Sequence, residues 1–197
     1  LHDGDIDANA FQHLAYLKAQ NKAQGYRLVS AGKTFLYPMG VYSNKITSLK
    51  ALKAGDKIAL PNDPSNETRA LLLLQQAKLI QLKSGQTELT PEDITSNPKQ
   101  LKWVTLDAAN LPGELPDVTA AVINTTFAKP AGLSTSQAIL LENRDSPNTN
   151  LIVTTQKLSQ SKKIKELVKA YQSKPVTTKA RALFGDSAIA GFNPPPS

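Results

Sequence analysis

Apolar and polar positions along the chain follow two different periods. Residues 57–60 (KIAL), 102–107 (KWVTLD), 119–123 (TAAVI) and 150–155 (NLIVTT) are short apolar runs bounded by turn-forming residues, the pattern of strands. Residues 64–78 and 160–184 place apolar side chains every three to four positions, which predicts one helix in the first stretch and one or two in the second. At the start, 5–9 (DIDAN) reads as a short strand, and helical spacing sets in from Asn9, with Phe11, Leu14, Ala15 and Lys18 on one face. Asn9 serves as its N-cap and Gly25 as its terminator, giving a helix that runs to about Gln24.

Residues 26–43 read as extended segments broken at Ala31-Gly32. Pro38 favours an edge strand or a crossing segment over a central strand. A short capped helix is expected over 44–54, and Asn124-Thr125-Thr126 opens another that ends by Pro130 and Gly132. The tail, GFNPPPS, is expected to be frayed or extended. Alternating strands and helices predict an α/β architecture of mainly parallel sheets flanked by helices. Crossings near 36–43 and 148–153 would make 1–42 with 150–197 one lobe and 43–149 the other.

Composition narrows the function more than the fold. There is no cysteine, which removes disulfides, iron–sulfur clusters and thiolate catalysis. The net charge of +7 is spread along the chain. Its densest cluster, Lys162-Lys163-Ile164-Lys165, falls mainly on the polar face of a helical pattern, so nucleic acid is not an expected partner. No apolar run is long enough for a membrane span, and no signal-peptide pattern stands at residue 1. The chain opens on LHDGDIDANAFQH, without an initiator methionine, and is expected to be N-terminally incomplete.

Three junctions share one grammar. Asn9, the cluster from Asn62 to Asn66, and Asn124 each follow an expected strand and precede an expected helix. Ligands of open α/β sheets bind beyond the carboxyl ends of strands, where helix N-termini expose N–H groups. Asparagine is also a preferred N-cap with no ligand present. Arg69 sits in the opening turns of the helix from about residue 64, where the macrodipole disfavours a cation. An acid elsewhere in the chain, solvent, or a ligand carboxylate held by the planar guanidinium fork would each offset that.

Phe11, His13 and Tyr16 form a second group, in which Phe11 alone reads as core and His13 as a surface or hydrogen-bonded wall residue. They line one wall only if the chain is irregular there or a pocket wraps the helix start. Asp3, Asp5, Asp7 and Asn9 alternate like a calcium loop, but the glycine is at Gly4 and the twelfth position is Leu14. HExxH, GxSxG, GxGxxG and Walker-type loops are absent, and with only His2 and His13 no histidine metal cluster is expected. No reaction centre, metal or cofactor emerges, so the protein is not expected to be an enzyme.

The segments DGDIDANAFQHLAYL, YPMGVYSNKI, ALPNDPSNETRALLLLQ, AVINTTFA and DSPNTNLIVT, in that order, closely resemble the NlpA/MetQ family. These are methionine-binding lipoproteins of bacterial ABC importers, and the resemblance covers essentially the whole chain. It implies a two-lobe, type II-like periplasmic binding protein with two crossing segments, closing on an amino acid. It also implies a lipid anchor and a ligand-facing tyrosine upstream of Leu1, and a place in the bacterial cell envelope facing the periplasm or exterior. Carried over by position, Phe11, His13 and Tyr16 would line the side-chain pocket with Tyr37 nearby. Arg69 would grip the ligand α-carboxylate with help from Asn66, and Asn124 would hold the head group. The implied partners are methionine, L- or also D-, and the permease and ATPase of the importer. A methionine-containing dipeptide, another apolar amino acid, and a non-transport surface protein with a vestigial pocket are the alternatives. Ala15, Met39-Gly40 and Glu67 depart from the usual family residues.

Overall fold

In chain order the computed structural model, which describes residues 1–193, opens with β1 (Ala8–His13), α1 (Leu14–Gln24), β2 (Leu28–Lys33) and β3 (Phe35–Leu36). β4 (Gly40–Tyr42), β5 (Lys57–Pro61), α2 (Pro64–Gln76), β6 (Gln81–Leu82), β7 (Ile94–Ser96) and β8 (Lys102–Leu106) follow. Then come α3 (Leu111–Glu114), β9 (Ala120–Ile123), α4 (Thr125–Ala128) and β10 (Leu140–Leu141). The chain ends with β11 (Asn150–Thr155), α5 (Lys162–Tyr171), α6 (Lys174–Phe184) and β12 (Ile189–Ala190). Two units result, Leu1–Tyr37 with Arg144–Ser197, and Pro38–Asn143.

In the first unit the sheet order is β1-β11-β2. β1 and β2 are each antiparallel to β11, hence parallel to one another. The two strands joined through α1 are parallel, but the returning strand β11 inserts between them. This corrects the expectation of mainly parallel sheets. Both neighbours of β11 carry a bulge: Ala10-Phe11 on β1 lie between the Asn9↔Val153 and Gln12↔Leu151 pairs, and Ala31 on β2 lies between Ile152↔Gly32 and Val153↔Ser30. The expected break at Ala31-Gly32 is therefore one extra residue in a continuous strand.

The first helix begins later than its spacing predicts. Asn9 pairs with Val153 inside β1, and the ladder continues to His13, which pairs with Asn150. Strand pairing outcompetes capping at Asn9, and the cap passes to His13, whose Nδ1 accepts from the Tyr16 N–H at 3.1 Å. Phe11 consequently lies on the strand, 59% exposed, and is not core. Gly25 ends the helix in the left-handed region, φ 70°. Leu17, Leu151 and Val153 form the core of this layer, and Ile164 of α5 is buried as its spacing predicts. The part of the tail that is described is anchored: the Gly191 N–H donates to the Thr34 carbonyl at 2.9 Å, and Phe192 packs on Phe35. Residues 194–197, the rest of that tail, lie outside the described residues.

The second unit holds a mixed sheet, β10-β4-β9-β5-β8. β9, β5 and β8 are parallel, β4 runs against them, and β10, antiparallel to β4, runs in their direction. Alternate side chains feed two cores: Ile58, Leu60, Ala120 and Val122 meet Ala70, Leu71 and Leu74 of α2, whereas Ala59, Ala121 and Ile123 meet Leu111, Leu115 and Val118. Burial on both faces is why these strands read as unbroken apolar runs. Because β4 pairs with β9, the chain enters this unit at Tyr37/Pro38 and leaves at Asn143/Arg144, rather than at 42/43 and 149/150. The helix expected over 44–54 shrinks to one 3-10 turn, Leu49–Ala51, since the Ser43 hydroxyl captures the N–H groups of Lys45 and Ile46 in a competing turn.

Candidate functional site

Two helix starts lie side by side in the second unit because the strands that feed them are parallel neighbours. β5 and β9 pair through Ile58↔Ala120 and Ala59↔Ala121. β5 runs through Asn62 and Asp63 into α2, and β9 runs through Asn124 into α4. Asp63 caps α2, with its Oδ2 accepting from the Asn66 N–H at 3.0 Å and Pro64 at the first helical position. Asn124 occupies the cap position of α4, yet its side chain does not cap. Its Nδ2 instead donates to Asn66 Oδ1 at 2.9 Å. The Asn66 Nδ2 in turn donates to both Asp63 carboxylate oxygens, at 3.0 Å each. Asn124 Oδ1 is buried and has no hydrogen-bond partner among the described residues.

Arg69 lies one turn beyond Asn66 on α2 and is only 7% exposed. Its Nε donates to Glu142 Oε1 at 3.0 Å, and its Nη2 pairs with Glu142 Oε2. An acid of the chain thus balances the cation in the early turns of α2. Glu142 Oε2 also accepts from the Met39 N–H at 2.9 Å. The carbonyl of that same peptide group, Pro38 O, accepts from Thr125 Oγ1, the residue after Asn124. Nearby on α2, burial and then the Asp63 charge push the Glu67 carboxyl above the usual carboxylate range.

The first unit brings together three of the four expected aromatic residues. Phe11 and Tyr16 meet edge to face with ring centres 5.8 Å apart, and His13 and Tyr16 do so at 6.5 Å. The β1 bulge and the strand-to-helix switch at His13 supply the irregularity this grouping requires. Tyr37 belongs to another aromatic cluster, 5.0 Å from Phe184 and 6.3 Å from Phe35, and burial followed by Tyr171 raises its pKa. Asn9 does not resemble the other two asparagines, because its Oδ1 accepts from Gln12 Nε2 within the strand.

Sequence reasoning missed Asp63 as an orienting group and Glu142 as the partner of Arg69. Glu142 has no local signal, since 73 residues separate the pair. Among the described residues no group of three or more His, Cys, Asp or Glu side chains is placed to hold a metal ion, and no helix is long and apolar enough to cross a membrane.

Comparison with known proteins places the fold. A periplasmic substrate-binding protein of an ABC transporter from Coxiella burnetii superposes with a TM-score of 0.94 at 55% identity, over 97% of this chain and 81% of that one. A nutrient-binding protein from Burkholderia cenocepacia, solved bound to methionine, superposes with a TM-score of 0.95 at 51% identity, over 98% and 82%. The D-methionine-binding lipoprotein MetQ of Salmonella typhi is 50% identical over 196 residues, 98% of this chain and 72% of the relative. The fold is that of these binding proteins, and the model of the NlpA lipoprotein family matches residues 1–192. The chain belongs to the NlpA lipoprotein family.

Proposed function

We propose that this protein is an extracytoplasmic solute-binding protein that captures methionine and delivers it to the permease and ATPase of an ABC importer. It acts by binding and not by chemistry. Arg69 receives the α-carboxylate, while Glu142 braces the guanidinium along its Nε–Nη2 edge. Asn66 and Asn124 hold the amino-acid head group. Phe11, His13, Tyr16 and Tyr37 supply the side-chain contacts, where sulfur–aromatic attraction of about 0.3–1.5 kcal/mol favours a thioether. The protein works in the bacterial cell envelope, tethered through an N-terminal lipid outside this chain.

The observation that carries the reading is the amide pair at the carboxyl ends of two parallel strands. Asn124 gives up its capping bond and keeps a buried acceptor in reserve, an arrangement that suits a ligand and gives a bare helix start nothing. The test is calorimetric titration of L- and D-methionine into protein stripped of ligand by unfolding and refolding, with Arg69→Ala alongside. Binding that the variant loses supports the reading. Failure of the unaltered protein to bind either enantiomer removes methionine as the ligand.

A further inference from the structure

The acid at one end of the hydrogen-bonded chain Asp63–Asn66–Asn124 decides what the other end presents. An ionised carboxylate only accepts. Both oxygens of Asp63 take the Asn66 Nδ2, so Asn66 must turn its Oδ1 toward Asn124, and Asn124 must answer with Nδ2. Turning both amides over would preserve the Asn66–Asn124 bond, so that bond cannot set the direction. The carboxylate sets it. The chain therefore ends on Asn124 Oδ1, the buried acceptor without a partner among the described residues.

We propose that Asp63 is a positioning residue that makes the site selective for a free, protonated amine, by forcing Asn124 to present an acceptor. The proposal rests on the amino-acid-binding reading above. A ligand α-ammonium supplies the missing donor. An N-acylated ligand lacks that charge and brings its own carbonyl acceptor against Oδ1. With the direction reversed, Asn124 would present Nδ2 and welcome such a carbonyl.

The experiment compares L-methionine, N-acetyl-L-methionine and L-methionine methyl ester by calorimetry on the unaltered protein, Asp63→Asn and Asp63→Ser. Asparagine and serine both cap helices well, so α2 keeps its start, which circular dichroism and thermal melting verify. The unaltered protein should bind the N-acetyl compound at least about a hundredfold more weakly than methionine, because a buried polar site rejects ligands that leave it unpaired. In either variant that ratio should narrow by about tenfold, the worth of one net hydrogen bond. The methyl ester is the reference, since general loosening of the site lowers both ratios and loss of amide direction lowers the amine ratio selectively. An amine ratio that stays put in folded variants that bind methionine overturns the proposal alone. No methionine binding by the unaltered protein overturns the functional reading and the proposal with it.

Discussion

Arg69 shows how far a single residue can be read. Its position in the early turns of α2 marks it as a cation in need of an anion, and the structure supplies Glu142 from 73 residues away. Need was legible because the helix dipole is a local property. The partner was not, because a long-range contact leaves no periodic trace, and Glu142 is a lone acid after an apolar run. With both side chains under a tenth exposed, removing either partner leaves the other as a buried, uncompensated charge. Glu142→Ala strands a buried guanidinium and frees the Met39 N–H, so it should destabilise the protein by about 3–5 kcal/mol. Urea denaturation measures this. A midpoint equal to that of the unaltered protein would show that the pair holds nothing together.

Elements were most legible where both faces are buried or a helix has one clear apolar stripe. β5, β9, β11, α2 and α5 all fall where their patterns place them. Misreading concentrated at β1 and α1, where two periods overlap. Phe11 and Leu14 satisfy helical spacing, yet Phe11 is 59% and Leu14 46% exposed. Their spacing was coincidental, and the ladder with β11 fixed the strand as far as His13. Packing of α5 on β2 gives a sharper test of an element contact. A methyl group at Gly32 would lie 2.7 Å from Val168 Cγ1, too close without movement of α5. Gly32→Ala should cost about 1–3 kcal/mol by overpacking. Val168→Ala in the same chain should recover most of that loss, and a double-mutant cycle in denaturant reads the coupling. Additive losses would show that the helix does not rest on the strand at this point.

Strand direction belongs to the whole chain, which is why the sheets were the least legible feature. No local pattern tells that β11 returns between β1 and β2, or that β4 runs against β9. The chain enters the second unit at the peptide group Pro38–Met39. Its carbonyl is held by Thr125, next to Asn124, and its N–H by Glu142, the brace of Arg69. Residues assigned to the head group are thus tied to the point where the chain enters this unit, and ligand captured there should be felt as global stability. A ligand that binds only the folded state at a hundredfold its Kd adds about 2.7 kcal/mol. For a chain of this size that raises Tm by about 5–11 °C. Calorimetric scans of ligand-stripped protein with and without L-methionine should show this increment. In Arg69→Ala the baseline falls, because Glu142 loses its partner, and the increment should vanish. An increment that survives the substitution would separate methionine binding from the guanidinium and shift the head-group assignment to Asn66 and Asn124 alone.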